Sequence, residues 1–532
     1  MRLRALASIL NLPVLGDGDP EIVSLVDDSR TAGPGSLFAA VRGGRTDGHA
    51  FAQKAFAAGA EAALVSDARA AGASGAGGTG PGRLYLVAPE DGFRKLVSRA
   101  AGLVYGSPQE KTRLLAVTGT NGKTSTTYVL ERMLGSCGVP CGVVGTVDYR
   151  WPGGSVEAPN TTPEGPLLWR TLGRMVGAGV GAVVMEASSH ALELGRLGDL
   201  RFDLALFTNL TRDHLDFHAD MEAYFRAKRR LFAEALKPGG AAVVCGDDPY
   251  GRRLLDELRA AGGPGGPGVK VLSFGFEPGN DFLGSSLSLG RRGFRMEVAS
   301  PGNNKVEVAC PMLGGFNAMN VLGSLAAASA LGVGTRGAAR SVRDFPGAPG
   351  RLRRVGRNDD YLVLVDYSHT PDALRSALLA LRELGPSRLL CVFGCGGDRD
   401  KGKRPLMGAA AGELSDLAVL TSDNPRTEDP MAIIGDVRAG LAGLGLAGAG
   451  LDEAGKNAGN DAGNGIGKSF GTYLVEPDRG GAIEAACGLM GAGDVLLIAG
   501  KGHESYQIVG TEKRHFDDAE RALAALEALG RA

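Results

Sequence analysis

The residues best suited to chemistry in this 532-residue chain lie together at Thr118-Gly-Thr-Asn-Gly-Lys-Thr124. Backbone N–H groups from Gly119 to Gly122 can close around an anion, Lys123 adds a positive point charge, and the Thr124 hydroxyl suits Mg²⁺. The common phosphate-loop pattern carries a further glycine five residues before Gly122, where Val117 stands here. The loop is therefore a variant, better matched to a distinct ligase than to a generic NTPase. A plain glycine turn would explain the glycines and leave Lys123-Thr124 without a purpose.

Three further groups can be read beside that loop. Glu186 ends the apolar run Ala182-Val-Val-Met185, at the edge where open α/β sheets place ligands, so its carboxylate can hold another side of a Mg²⁺. The run Asp213-His-Leu-Asp-Phe-His218 reads either as a capped polar loop or as metal ligands of a hydrolase, but only seven histidines are available to complete such a site. Lys228 lies ten residues after His218, on a helix expected to begin near Met221, and position alone assigns it no role. In the last third of the chain, four polar loops each follow an apolar run: Asp366 to Asp372, Gly394 to Arg404, Asp423 to Pro430 and Gly500 to Glu504. Loops at the strand ends of one sheet converge on one rim, and the glycines and alternating charges of 394 to 404 suit a phosphate or carboxylate.

The elements that must position these residues are strands alternating with helices. Ile22–Val26, Ser36–Val41 and Leu84–Val87 suggest a small α/β domain ending near Ser107-Pro108. From Leu114 the rhythm changes to apolar strands at Leu114–Val117, Ala182–Met185, Leu204–Phe207 and Ala241–Val244, separated by helical stretches. The first of those stretches carries apolar positions at Val129, Leu130, Met133 and Leu134. Phe345-Pro-Gly-Ala-Pro-Gly350 reads as a linker and hinge, and strands resume at Leu362–Val365, Leu389–Phe393, Leu417–Leu420 and Val495–Ile498. The expectation is an α/β chain of three tandem domains: 1–108, 109–345 with a phosphate-loop sheet, and a Rossmann-like 346–532. A length of 532 residues suits three or four domains rather than one core.

Composition narrows the classes. Lys+Arg 58 against Asp+Glu 59 leaves a formal charge of −1, which argues against a general nucleic-acid binder or a polybasic membrane arm. No apolar run reaches membrane-span length and the first residues lack a signal-peptide pattern, so a cytoplasmic protein is expected. The seven cysteines do not pair at zinc spacing and read as free, mostly buried thiols. Glycine is in excess at 84 residues. Part of it lies in breaker-rich stretches, 72–82, 262–268 and 447–468, read as flexible surface insertions.

Taken together, the phosphate loop, Asn160-Thr-Thr-Pro163, Glu186-Ala-Ser-Ser-His190, Thr208 to Asp216, the Tyr-Ser-His-Thr-Pro run from Tyr367 and the C-terminal loops resemble the Mur ligases of peptidoglycan synthesis. The likeness runs from Asp28-Ser-Arg30 to Glu504, and among Mur ligases it is strongest to those that add diaminopimelate. It implies that Ser29, Arg45, Thr46, Asn160, Thr161, Thr162, Ser188 and Arg196 hold a UDP-sugar substrate, UDP-MurNAc-L-Ala-D-Glu. It further implies that Gly119, Thr120, Asn121, Gly122, Lys123, Thr124 and Ser125 hold ATP. Thr124, Glu186, His214 and a carbamylated Lys228 would bind Mg²⁺, with Lys123, His214 and Lys228 serving catalysis. Arg399, Asp423, Asn424, Pro425, Arg426, Gly500 and Glu504 would bind meso-diaminopimelate. Three positions depart from the family pattern: Leu194 for a polar Gln, Arg353 for Glu, and Ser368 for Ala.

The reaction so implied is ATP-dependent amide formation through an acyl phosphate, with His369 a candidate base for the incoming amine. Two other readings compete with it. A folylpolyglutamate-type ligase would share the phosphate loop and lack Asp423-Asn-Pro-Arg426, and a nucleotide-gated binding protein would keep the pocket without turnover.

Overall fold

A computed structural model describes residues 1–43, 46–70, 72, 83–260, 268–302, 304–358, 360–450 and 471–532. By compactness the chain divides into two units, Met1–Asp281 with Gly323–Gly334, and Phe282–Leu322 with Thr335–Ala532. That division cuts the anticipated 109–345 segment at Phe282. The anticipated three-domain α/β fold is carried by two mainly parallel sheets in the first unit and one in the second, which also holds an antiparallel meander and a two-stranded hairpin.

The N-terminal sheet runs in the order Val14–Leu15, Leu84–Val87, Ala62–Val65, Ser36–Ala39, Ser24–Val26, parallel except for its first pair. Helix Leu3–Leu10 buries Leu3, Leu6, Ala7 and Leu10, the i, i+3, i+4, i+7 stripe of an amphipathic helix. Asn11 stops it in the left-handed conformation that asparagine tolerates.

In the same unit the central strands lie in the order Lys270–Gly275, Leu236–Cys245, Phe202–Phe207, Arg113–Thr118, Ala182–Glu186, Cys141–Val144, all parallel, followed by the antiparallel hairpin Asp148–Trp151 and Gly154–Glu157. Ala182–Glu186 flanks Arg113–Thr118 on one side and Phe202–Phe207 on the other. The chain leaves the middle strand in one direction and later returns to its opposite side. The crevice beyond the carboxyl end of Thr118 is therefore a topological switch point, where open α/β sheets bind ligands. Helix Lys123–Ser136 packs its expected face, Val129, Leu130, Met133 and Leu134, onto this sheet.

The second unit contains an antiparallel meander, Phe282–Gly290, Gly293–Ser300 and Asn304–Cys310. Its main sheet has the order Arg353–Val355, Leu362–Asp366, Val495–Ala499, Leu389–Phe393, Leu417–Leu420, Thr472–Val475, Ala447–Gly450, and only the first strand is antiparallel. Alternate residues of one strand serve opposite faces: Leu362 and Leu364 join one core, Val363 and Val365 the other. Such two-sided burial needs helices on both faces, and Pro371–Arg382, Lys403–Leu414, Pro430–Ala442, Arg479–Leu489 and Asp518–Ala528 supply them. Leu362–Asp366, Val495–Ala499, Leu389–Phe393 and Leu417–Leu420 are consecutive neighbours, so the four polar loops emerge side by side at one rim.

One expectation needs correction. Ala447–Gly450, read as the start of a flexible insertion, is an edge strand in parallel register with Thr472–Val475, whose backbone bonds suffice where side chains are too small to signal a strand. Most of the other glycine-rich insertions lie outside the described residues. Phe345 to Gly350, read as a linker, lacks regular structure, and Gly350 packs closely enough that a Cβ there would stand 2.2 Å from His503 N. All seven cysteines are free thiols, and Cys137 alone is exposed.

Candidate active site

The phosphate loop is shaped by backbone conformation and tied down by threonine and asparagine side chains. Gly119 has φ +147°, and a Cβ on it would lie 1.9 Å from Thr208 Oγ1, so no other residue fits without moving the strand end beside it. Thr208 donates to Asn121 O at 2.6 Å, Asn121 N donates to Asn209 Oδ1 at 3.0 Å, and Thr120 N donates to Asn209 O at 2.9 Å. These bonds fasten the loop to 208–209 and leave the start of helix Lys123–Ser136 presenting N–H groups. Lys123 Nζ folds over the loop, donating to Gly119 O at 3.0 Å and Thr120 O at 2.9 Å.

Thr124 Oγ1 donates to Glu186 Oε2 at 3.1 Å, and both side chains are buried. Thr146, which sequence reading did not single out, grips the same carboxylate through its N–H on Oε1 and its hydroxyl on Oε2, each at 2.9 Å. Gly145 permits this closeness, since a Cβ there would stand 2.4 Å from Glu186 Oε1. Thr161 Oγ1 lies 3.1 Å from Thr146 Oγ1, and Thr162 Oγ1 donates to Glu186 O at 2.7 Å and receives Ser188 N at 3.0 Å. Arg196 donates to Thr162 O at 3.1 Å and forms an ion pair with Glu164 at 2.9 Å, while Arg94 donates to the same Glu164 oxygen at 2.6 Å. Thr161, Thr162, Ser188 and Arg196 thus form one polar path away from the phosphate loop. Ser29, Thr46 and Asn160 line a cavity of about 720 Å³ together with Lys54, Arg94 and Arg170. Arg45 lies outside the described residues. A larger cavity, about 990 Å³, lies in the second unit near Arg291 and Arg343 and includes none of the expected site residues.

Lys228, on helix Met221–Glu234, is almost wholly buried and donates to Gly119 O at 2.7 Å. Burial, reinforced by the Lys123 charge, holds its amine well below the usual lysine range. Its Nζ stands 4.6 Å from the Tyr224 ring centre, and the His214 ring packs edge-on against the same ring at 6.0 Å. Tyr224 is a hub that sequence reading missed, for its hydroxyl also meets Thr120 Oγ1 at 3.2 Å. His214 has a positive φ of 54°, and burial followed by the Lys123 and Lys228 charges lowers its pKa against the opposing pull of Asp213.

Among the described residues no three His, Cys, Asp or Glu side chains group as a metal site. Thr124 and Glu186 do provide two adjacent oxygens, which suits Mg²⁺, an ion commonly held by one or two protein oxygens plus phosphate oxygens and water. A neutral or charged lysine amine adds nothing to such a set, so the fit of Lys228 depends on conversion to an oxygen donor.

One lookalike is excluded by its bonding. Asp47, His49 and Ser66 stand in triad order, with His49 Nδ1 2.6 Å from Asp47 and Nε2 3.2 Å from Ser66 Oγ. His49 Nε2 already accepts from Ser66 N and Asp67 N, each at 3.1 Å, so its lone pair clips a backbone turn and is not open to take a proton from the serine.

In the second unit, Asp423 and Asn424 are buried behind the rim, and Asn424 Nδ2 donates to Glu504 Oε2 at 2.9 Å. Gly500 is required beside them: its φ is +118° and a Cβ would stand 2.7 Å from Asp423 Oδ2. Pro425 O closes on Gly397, and Arg426 reaches back to donate to Gly397 O at 2.7 Å. Arg426 holds a positive φ of 53°. Its strained backbone is locked by donation to Ile508 O at 3.0 Å and acceptance from Gly510 N at 2.7 Å. A Cβ on Gly396 would meet Arg426 Nη1 at 3.0 Å and Arg399 Cγ at 3.9 Å, so the two arginines flank that glycine. Arg399 is exposed. His369 Nδ1 lies 2.8 Å from Tyr367 O, which makes Nδ1 the protonated nitrogen. His369 is exposed, and nearby protein and the Lys403 charge draw its pKa below the usual imidazole range.

Of the three departures, Ser368 is buried and donates to Asp366 and Ala373 O, Leu194 ends the short helix Ser189–Glu193, and Arg353 is exposed on an edge strand.

Residues 21–79 match the Mur ligase family catalytic domain, 117–328 the Mur ligase middle domain, and 350–502 the Mur ligase glutamate ligase domain. A relative from Geobacter metallireducens, named UDP-N-acetylmuramoyl-L-alanyl-D-glutamate–2,6-diaminopimelate ligase, is 43% identical over 535 residues, covering 99% of each chain. A solved structure of a ligase with the same name is 31% identical with a TM-score of 0.63, covering 96% of each chain. Folylpolyglutamate synthase of Mycobacterium tuberculosis, solved with ADP and AMPPCP, shares the fold at 17% identity and a TM-score of 0.59, over 82% of this chain and 95% of that one. With its phosphate loop, carboxylate path and C-terminal loops set as described and its full length matched at such identity, this chain belongs to the Mur ligase family.

Proposed function

We propose that this chain is an ATP-dependent amide ligase that joins meso-2,6-diaminopimelate to the D-Glu γ-carboxylate of UDP-MurNAc-L-Ala-D-Glu, releasing ADP and phosphate, in the cytoplasm. The observation that carries this reading is the loop Asp423-Asn-Pro-Arg426, held to Glu504 through Asn424. It offers a guanidinium and a carboxylate at one rim, the two charges needed to receive an amino-acid end. The folylpolyglutamate alternative has no use for that pair.

In the first unit the cavity bearing Ser29, Thr46 and Asn160 takes the UDP end, with Lys54, Arg94 and Arg170 supplying positive charge for its diphosphate. The path through Thr162, Ser188 and Arg196 leads the peptide toward Glu186 and the phosphate loop. A γ-carboxylate oxygen attacks the γ-phosphorus of ATP, the bond to the β–γ bridging oxygen breaks, and ADP leaves. Lys123 releases the loop carbonyls to follow the charge that moves onto that bridging oxygen, while the loop N–H groups hold the phosphates in place. Thr124 and Glu186 would hold Mg²⁺, with His214 and Lys228 beside them, and the ion would neutralise phosphate charge. Lys228 meets the condition for carbamylation: a buried amine favours the neutral form, which adds CO₂ and loses a proton to become an anionic oxygen donor. The amine nitrogen of diaminopimelate then attacks the acyl-phosphate carbon, and the tetrahedral adduct expels phosphate as the nitrogen loses its proton.

The test is isotope transfer. With ¹⁸O in the D-Glu γ-carboxylate and meso-diaminopimelate present, one ¹⁸O is expected in released phosphate, ADP rather than AMP is formed, and the product mass rises by one diaminopimelate less water. Phosphate free of ¹⁸O contradicts the acyl phosphate.

A further inference from the structure

We propose that Lys501 determines amino-acid specificity: its buried ammonium balances Glu504 and Asp423 so that the pocket favours an amino-acid end carrying ammonium and carboxylate over one carrying ammonium alone. The inference rests on the reading of these loops as the diaminopimelate site.

Lys501 follows strand Val495–Ala499 by two residues, and its side chain has no exposure to solvent. An ammonium taken out of water without compensation is strongly unfavourable, so its partners indicate its purpose. Nζ lies 3.3 Å from Glu504 Oε2 and 4.0 Å from Asp423 Oδ1. It donates to Asn424 Oδ1 at 3.3 Å and to Tyr506 O. Three residues assigned to the ligand therefore meet on one cation that lies within the loop Gly500 to Glu504 and that its place in the sequence gives no role.

Two orientations follow. Asn424 Oδ1 accepts from both Lys501 and Ile508 N, the latter at 2.9 Å, which turns Nδ2 toward Glu504. Glu504 receives Asn424 and Lys501 on the same oxygen, Oε2, so Oε1 takes neither bond and is the oxygen offered to a ligand ammonium. Asp423 Oδ1 is likewise buried without a hydrogen-bond partner.

The charge balance gives the selectivity its sign. Asp423 and Glu504 against Lys501 leave one negative charge, which Arg426 cancels, and a neutral pocket matches a zwitterionic end. Arg479 behind it is matched by Asp518 at 2.6 Å, both fully buried, and adds no net charge. Arg399, exposed at the rim, is screened by water. Without Lys501 the same pocket is net negative and matches the lone ammonium of lysine. Specificity is the difference between two such affinities.

The experiment measures kcat and KM for meso-diaminopimelate and for L-lysine with saturating ATP and UDP-MurNAc-L-Ala-D-Glu, in wild type, Lys501→Met and Glu504→Gln. Lys501→Met keeps an unbranched side chain and drops the charge. Its diaminopimelate-to-lysine ratio of kcat/KM is expected to fall about tenfold or more, through amino-acid KM, with KM for ATP and the UDP-substrate unchanged. Glu504→Gln, at a partly exposed side chain, leaves the ammonium unbalanced, and its ratio should move the opposite way. A folded Lys501→Met enzyme with the wild-type ratio overturns the proposal, as does a Glu504→Gln enzyme whose ratio falls; should Lys501→Met fail to fold, the sign in Glu504→Gln decides alone. A wild type that ligates neither amino acid defeats the diaminopimelate reading itself, whereas a selective wild type with both variants unchanged defeats only the role of Lys501.

Discussion

The phosphate loop of the first unit and the four-loop rim of the second are built on opposite principles. In the proposed reading, phosphate recognition comes from the main-chain N–H groups at the start of helix Lys123–Ser136, since those of Thr120 and Asn121 are already donated to Asn209. The supporting side chains, Thr208, Asn209, Thr146 and Thr162, are neutral, and the one buried cation, Lys228, is pushed toward neutrality. At the second rim the groups proposed to face the ligand are charged side chains, backed by ion pairs taken wholly or partly out of water: Lys501 with Glu504, Arg479 with Asp518, Arg404 with Glu428. A phosphate is the same in every nucleotide and can be met by a fixed backbone nest. An amino acid must be told from its relatives, and that discrimination needs charges whose positions are set by other charges.

The largest expected effect breaks the first half of this comparison. Lys123→Ala removes the cation that bridges the carbonyls of Gly119 and Thr120, and kcat should fall roughly a thousandfold while the thermal midpoint holds. A small effect would mean that the backbone nest alone carries catalysis. Next in size is Lys228→Ala, expected to lose roughly a hundredfold in kcat, by analogy with loss of one preorganised charge, with little change in fold. ¹³C-bicarbonate NMR of the wild type should reveal a carbamate carbon that the variant lacks. Near wild-type turnover by the variant, or a bare amine in the wild type, rules the carbamate out.

The second half is sharpened by Arg426→Ala. Losing a guanidinium from a partly desolvated pocket costs about 2 kcal/mol or more, roughly thirtyfold in kcat/KM, and the change should appear as a raised KM for meso-diaminopimelate and a narrowed advantage over lysine. Arg399→Ala is the smallest. Its guanidinium is exposed and donates only to the adjacent Asp398 O at 3.2 Å, so about a threefold rise in KM is expected, shrinking with added salt. Equal effects at the two arginines would place the carboxylate nearer the rim than Arg426.

The same contrast explains what could be read from sequence. The phosphate loop is contiguous, and Gly119, Gly122, Lys123 and Thr124 announce it by spacing alone. Thr146 and Tyr224 are invisible there, because only the folded sheet brings Thr146 to a carboxylate 40 residues away and sets Tyr224 between Lys228 and His214. Lys501 stood in plain view, yet its burial and its contact with Asn424, 77 residues distant, are tertiary facts. The core strands were legible because their Val, Ile and Leu runs are buried on both faces. The meander from Phe282 was not, since Leu283-Gly-Ser-Ser-Leu-Ser-Leu-Gly290 alternates small polar residues with few large ones and carries a register shift between Ser285 and Ser288. His369 could be nominated by type alone, and only the fold shows its Nδ1 bound to Tyr367 O.

The most direct test of the central claim, that the second rim reads both charges of one amino-acid end, is the ratio of kcat/KM for meso-diaminopimelate and L-lysine in the unmutated enzyme, followed by ADP release at saturating ATP and UDP-MurNAc-L-Ala-D-Glu. Lysine lacks the carboxylate for Arg426 and brings its ammonium against a like charge, so the ratio should be at least about thirty in favour of diaminopimelate. Equal kcat/KM for the two amino acids would contradict the account.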